Sequence, residues 1–256
     1  MKKCVKWAVA LLTAAFLLML TLYSLSTTVV SVALSQDTYT ACFDAYADTS
    51  ASGVEKAAYP ALAAALAGYF KGTLGTPQVE VEKFGASAAA YSEKELTHLA
   101  DVKNLFDGLL RLRYLTLALC ACLVLCLYFI FRRGKRFETE DERSAWEART
   151  LWPGALIGAL VAFALVSSVA VWGLVNFDGL FITLHKLLFS NDFWLLNPNT
   201  DLLIQLMPEK MFVQLGASVV RKAIVTPAVV FALIVFGAAA LLRAEKKKPK
   251  PSGDQA

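Results

Sequence analysis

Histidine is almost missing from this chain: 256 residues contain two, His98 and His185. If the protein moves protons near neutral pH by imidazole chemistry, those two rings carry it. Charge is scarce as well. Asp, Glu, Lys and Arg make up 18% of the residues, against about 25% in soluble domains. The usual catalytic signatures are absent. There is no GxSxG elbow, no Walker loop, no HExxH and no GxGxxG, which excludes the enzyme classes those motifs define. Two histidines without a cysteine pair beside them do not form a four-ligand zinc site of the usual kind. Of five cysteines, Cys4 precedes the first apolar run, Cys120, Cys122 and Cys126 lie inside the second, and only Cys42 stands in a long polar loop. No disulfide can form within that loop.

What the chain has in excess is apolar sequence: 57% hydrophobic residues and a mean hydropathy of +0.53. Four blocks contain no charge at all, 7–33, 114–131, 151–175 and 223–242. Spanning a bilayer as helix takes about 20 apolar residues, and helix satisfies every backbone group without water. The expectation is a single integral membrane domain over 1–256. It is an all-α four-transmembrane-helix bundle with an extracytoplasmic, mainly helical cap that contains a short strand. The first block also has the basic start of a signal peptide, but its length favours a retained anchor. Uncharged spans argue against an ion or proton path through the membrane.

Of the 25 basic residues, 14 fall in the short segments 1–6, 132–150 and 243–256, and the rest are spread over 34–113 and 176–222. Basic residues beside helix ends prefer the cytoplasm. Arg132, Arg133, Lys135 and Arg136 follow the second block, and Arg243, Lys246, Lys247, Lys248 and Lys250 follow the fourth. Both termini are therefore expected inside, with 34–113 and 176–222 outside. The net charge of +4 is read as a topology signal and as attraction to anionic membrane lipid, not as a nucleic-acid footprint. The Lys/Pro tail reads as a disordered end.

The outer segments hold the polar chemistry. Tyr59-Pro60 and the Ala/Leu-rich run to Tyr69 predict a helix with proline in its first turn. Gln78–Phe84 alternates as a short strand. Ser92 with Glu95 three residues on is a capping box that opens a helix through His98 to about Leu110, with direct continuation into the second span open. Glu95, His98 and Asp101 then share a face, so that either carboxylate could fix the imidazole tautomer. A solvated charged face is the competing reading. In 176–222, Leu180, Leu184, Leu187 and Leu188 predict a short amphipathic helix around His185, in a segment rich in Phe, Trp and Met that lies in the outer interface or re-enters the membrane. Asn191-Asp192 and Asn197-Pro198-Asn199 are also ordinary turn and cap chemistry.

Two stretches together are specific. One is Tyr91-Ser92-Glu93-Lys94-Glu95-Leu96-Thr97-His98-Leu99-Ala100-Asp101-Val102. The other is Phe181-Ile182-Thr183-Leu184-His185-Lys186-Leu187-Leu188-Phe189-Ser190-Asn191-Asp192, followed by Trp194, Leu195, Asp201, Leu202 and Pro208. With the four-span layout, they resemble the bacterial lipoprotein intramolecular transacylases, Lit, over nearly the whole chain. The match is weakest in the Ala-rich first half of the outer cap. The resemblance implies an acyltransferase whose substrate is a diacylated lipoprotein. One ester-linked acyl chain of the diacylglyceryl group moves to the α-amine of the N-terminal cysteine and leaves a lyso-form lipoprotein. It implies no cofactor, because ester to amide is downhill, and no protein nucleophile, because the amine attacks. His98 and His185 are the implied catalytic residues. His98 is the general base and His185 stabilises the oxyanion or protonates the leaving oxygen, with the reverse assignment open. Glu95, Asp101, Asn191, Asp192, Trp194 and Asp201 are the implied supporting residues. An acyl-enzyme on Ser190 is a competing mechanism. A non-enzymatic accessory protein that binds a partner through the aromatic outer loop is the competing function.

Overall fold

A computed structural model describes residues 2–133 and 140–247. Lys135, Arg136, Lys248, Lys250 and the terminal tail, which entered the topology argument, lie outside the described residues. In chain order the elements are α1 (Lys2–Ala33), α2 (Gln36–Tyr46), α3 (Thr49–Ser52), a 3₁₀ turn (Lys56–Ala58), α4 (Tyr59–Lys71), β1 (Glu80–Lys83), β2 (Ala86–Ala89), α5 (Glu93–Arg133), α6 (Glu140–Val175), α7 (Phe177–Leu188), α8 (Leu202–Leu206), α9 (Glu209–Ala223) and α10 (Val225–Lys247). Four helical stretches are long and apolar enough to cross a membrane: Cys4–Ala33, Glu93–Arg132, Trp146–Val175 and Glu209–Ala240. The all-α membrane fold with one small sheet is as the sequence implies.

The chain divides into two compact units. One comprises residues 1–24, 114–166 and 223–256, and the other 25–113 and 167–222. In the first unit the charge-free helices present apolar side chains outward, among them Leu115, Leu125, Phe129, Leu160, Phe163 and Phe236. Water would not tolerate that surface, and lipid requires it. Gly154 and Gly158 sit one turn apart on α6 and admit the backbone of α1. A Cβ on Gly154 would stand 2.2 Å from the Ala10 carbonyl oxygen, and one on Gly158 would stand 2.9 Å from the Ala14 Cα. This is small-residue packing, which suits helices that have no hydrophobic driving force in lipid.

The second unit has a water-type core. Phe43, Tyr59, Leu62, Leu66, Leu206 and Met211 are fully enclosed in it. Pro60 stands in the first turn of α4, and Gly72 ends the helix at φ +76, where only glycine is unstrained. β1 and β2 form an antiparallel hairpin with Glu80 opposite Ala89 and Lys83 opposite Ala86. Its two-residue turn puts Phe84 at φ 51 and Gly85 at φ 80, the primed geometry that hairpins prefer. The second strand is not foreseeable from Ala-Ser-Ala-Ala, residues with little strand preference. Beyond the hairpin the Gln78 amide continues the ladder. Its Nε2 donates to the Tyr91 carbonyl at 2.7 Å, and its Oε1 accepts from the Tyr91 amide at 2.9 Å. That brace delivers the chain to Ser92, where α5 begins.

Helix α5 runs without a break for 41 residues, about 60 Å at 1.5 Å per residue. Only its second half is free of charge, from Tyr114 to Phe131. Residues 93–113 carry Glu93, Lys94, Glu95, Asp101, Lys103, Asp107, Arg111 and Arg113, so His98 lies outside the uncharged segment of the helix.

Candidate functional site

The site is built where the first turns of α5 meet α7 and the segment that follows it. The α5 capping box forms as expected. The Ser92 amide and hydroxyl both donate to Glu95 Oε2 at 2.8 Å, and the Glu95 amide reaches back to Ser92 Oγ at 3.4 Å. The other oxygen, Oε1, accepts the Leu203 amide of α8 at 2.6 Å. Glu95 is 2% exposed, and both its oxygens are occupied. It therefore does not orient His98 directly, contrary to the expectation from spacing: a capping-box carboxylate turns back toward the helix start, not along the face toward residue i+3.

Two more contacts join the same turns of α5 to the later segment. Lys94 Nζ donates to the Leu195 carbonyl. Asn191 Nδ2 donates to Asp101 Oδ2 at 2.9 Å, while Asn191 Oδ1 accepts the Phe193 amide at 3.1 Å. Residues 94, 95 and 101 thus grip the chain at 195, 203 and 191. Asp201 closes a local turn, accepting from the Asn197 amide at 2.8 Å and the Thr200 hydroxyl at 3.0 Å. Asp192 is exposed.

These constraints bring the two histidines together from positions 87 apart in sequence. Their ring centroids are 6.1 Å apart, with planes 34° from parallel. His185 lies between aromatic neighbours: Phe181 at 3.9 Å, Trp194 at 5.0 Å and Phe189 at 5.5 Å between centroids. Phe189 also meets His98 edge-on at 5.2 Å. His185 Nδ1 is 2.8 Å from the Phe181 carbonyl oxygen. A carbonyl only accepts, so Nδ1 carries the proton and Nε2 keeps the lone pair. His98 is 8% exposed, and its Nδ1 is buried without a hydrogen-bond partner. Neither Asp101 nor Glu95 holds it by a bond. Asp101 reaches it only as a nearby charge.

Burial sets the protonation of the pair. The His98 pKa is lowered to about 4, first by loss of solvent and then by the neighbouring His185, with Asp101 opposing. Burial also lowers that of His185, against the opposing hydrogen bond to the Phe181 carbonyl. Both rings are therefore neutral at pH 7, one with a fixed tautomer. Ser190 is exposed and hydrogen-bonds neither imidazole. Among the described residues, no three His, Cys, Asp or Glu side chains stand together as a metal site.

Three groups take part through contacts that the sequence does not display. The Phe181 carbonyl lies one helical turn before His185, and because it is a backbone group the predicted helix around His185 was the available signal. Phe189 and the Leu203 amide give no such signal, because their roles exist only after the two segments meet.

A sequence profile of the lipoprotein intramolecular transacylase Lit matches residues 14–212. No curated protein sequence matches the chain. Among solved structures, the membrane integral lipoprotein intramolecular transacylase Lit from Bacillus cereus is similar at a TM-score of 0.62 and 17% identity, over 95% of this chain and 98% of that one. A histidine-to-alanine variant of the same protein gives 0.61 and 16% over 96% and 98%, and a histidine-to-arginine variant 0.58 and 17% over 96% and 95%. At such identity the structures speak for the fold, a multi-pass membrane fold, and the profile speaks for the family. The chain belongs to the lipoprotein intramolecular transacylase family, Lit, and is an acyltransferase.

Proposed function

We propose that this protein moves an ester-linked acyl chain of a diacylglyceryl-modified lipoprotein to the α-amine of its own N-terminal cysteine, leaving a lyso-form lipoprotein. The paired neutral imidazoles carry the reading, 6.1 Å apart and walled by Phe181, Phe189 and Trp194. Donor and acceptor share one molecule, so proximity is partly supplied before binding. The remaining tasks are to take a proton from the amine and to stabilise the oxyanion, which two imidazoles perform.

The geometry favours the second of the two assignments that the sequence left open. His185 presents Nε2 as the basic nitrogen because Phe181 holds the proton on Nδ1. A hydrogen bond of that kind also raises basicity. His98, lowered to about 4, is a poor base and stays a neutral N–H donor, suited to the developing oxyanion. His185 takes the amine proton and returns it to the leaving glyceryl oxygen. The basic segments 1–6, 132–150 and 243–256 support a topology with both termini cytoplasmic and with 34–113, 176–222 and the histidine pair at the outer face of the bacterial cytoplasmic membrane.

Expression in a host with diacylated lipoproteins, followed by mass spectrometry of their N-terminal peptides, tests this. Loss of one ester-linked chain with gain of an N-acyl chain is expected. An unchanged peptide beside well-expressed protein would contradict it.

A further inference from the structure

We propose that Asp101 is the seat of the acceptor's α-ammonium group, and that it selects a protonated amine as the nucleophile to be activated. The inference rests on the acyl-transfer reading above and adds the recognition of the acceptor.

Asp101 stands one turn after His98 on α5, and its carboxylate is held from one side only. Oδ2 accepts from Asn191 at 2.9 Å; Oδ1 takes no hydrogen bond from any described residue. The other carboxylates of this region differ. Both oxygens of Glu95 are occupied by Ser92 and Leu203, and both of Asp201 by Asn197 and Thr200. Asp192 is exposed. The lysines of these elements are Lys94, committed to the Leu195 carbonyl, Lys103, which donates to the Tyr69 carbonyl at 2.9 Å, and Lys186, exposed on α7. Among the described residues, Asp101 is thus the acidic side chain that acts on His98 and still has a free oxygen. One turn earlier on the same helix, the buried Nδ1 of His98 has no hydrogen-bond partner. A site with two neutral imidazoles and one unshared carboxylate oxygen suits a small cation with several N–H donors.

An α-amine has a pKa of about 7.7–8.0, so near neutral pH the acceptor arrives mainly as R–NH3+. Asp101 Oδ1 accepts from that ammonium. One proton passes to His185 Nε2, and the neutral amine attacks the ester carbonyl, forming the C–N bond. The C–O bond to the glyceryl group breaks, the imidazolium returns its proton to the glyceryl oxygen, and the second amine proton leaves to solvent. The products are the amide, the glyceryl alcohol and one released proton.

The test compares two synthetic diacylglyceryl-cysteine peptides, one with the α-amine and one with a hydroxyl in its place, on full-length protein in lipid vesicles. A hydroxyl is never an ammonium. Asp101→Asn keeps an oxygen that accepts from Asn191 but removes the charge. Hydrogen bonds to charged groups are worth about 10- to 100-fold. The amine-to-hydroxyl ratio of kcat/KM at pH 7 is therefore expected to fall by about that factor, and Asp101→Glu is expected to recover it. In Asp101→Asn the amine reaction should also rise about tenfold per pH unit up to the amine pKa, while the wild type is flatter. A ratio that stays at the wild-type value, or loss of both reactions together, overturns the proposal. If the wild-type protein moves no acyl chain to the amine peptide, it is the acyl-transfer reading that fails.

Discussion

Replacing Glu95 with alanine probes the joint that brings the two histidine segments together. The carboxylate is 2% exposed and accepts the buried Leu203 amide at 2.6 Å. Losing the acceptor leaves that amide without a partner; a hydrogen bond to a charged group contributes about 1.5–3 kcal/mol. The capping box with Ser92 is lost as well, at about 1 kcal/mol. The sum is about 3 kcal/mol, or about 100-fold in the equilibrium for opening the α5–α8 joint. Hydrogen exchange read by mass spectrometry on peptides over 195–207 reports that opening directly. Protection at Leu203 is expected to fall about 100-fold in Glu95→Ala, with α4 unaffected. Glu95→Gln can keep an oxygen toward Leu203 but turns an NH2 toward Ser92, and should cost about 1 kcal/mol. Unchanged protection in Glu95→Ala, or equal loss throughout the unit, would refute the argument.

Three further outcomes follow from the same geometry. His185→Ala and His98→Ala should each lower transfer about 10²- to 10⁴-fold with hydrogen exchange elsewhere unaltered, measured on a synthetic diacylated peptide. Gly154→Leu places side-chain atoms where the Ala10 carbonyl oxygen stands, so thermal stability in detergent should drop sharply, whereas Gly216→Ala, with open space at its Cβ, should change it little. His98 has a folded-state pKa of about 4 against 6.5 unfolded. The unfolded chain therefore binds the proton first as pH falls. Stability is fully present above about 6.5 and is lost between there and about 4, so the melting temperature should decline over that window, and less steeply in His98→Gln.

The transmembrane helices and the capping box at Ser92 were legible because each depends on local pattern: an uncharged run, or a serine and glutamate three apart. The helix around His185 was legible for the same reason, with its leucines at 3.6-residue spacing. The hairpin partner Ala86–Ala89 was hidden, since its pairing comes from the turn at Phe84-Gly85 and from tertiary context, not from strand-forming side chains. The candidate residues Glu95, Asp101 and Asn191 were visible as polar groups near the two histidines, but their partners were not. Helical spacing puts Glu95 and Asp101 on the face of His98, yet contacts across about 100 residues decide whom they meet: Glu95 with Leu203, Asp101 with Asn191. Likewise, the tautomer of His185 became visible only with the 2.8 Å contact of its Nδ1 with the Phe181 carbonyl.

In the proposed reaction the two imidazoles pass an acyl chain between groups of one lipoprotein molecule without holding it on the enzyme. A crossover measurement tests this most directly. Two lipopeptides, one heavy in its acyl chains and the other heavy in its peptide, are mixed with purified protein in vesicles, and the N-acyl products are weighed by mass spectrometry. Products in which chain and peptide come from the same starting molecule are expected, with about 10²- to 10⁴-fold slower formation in His185→Ala. Mixed products at random proportions, or an acyl group retained on Ser190, would contradict it.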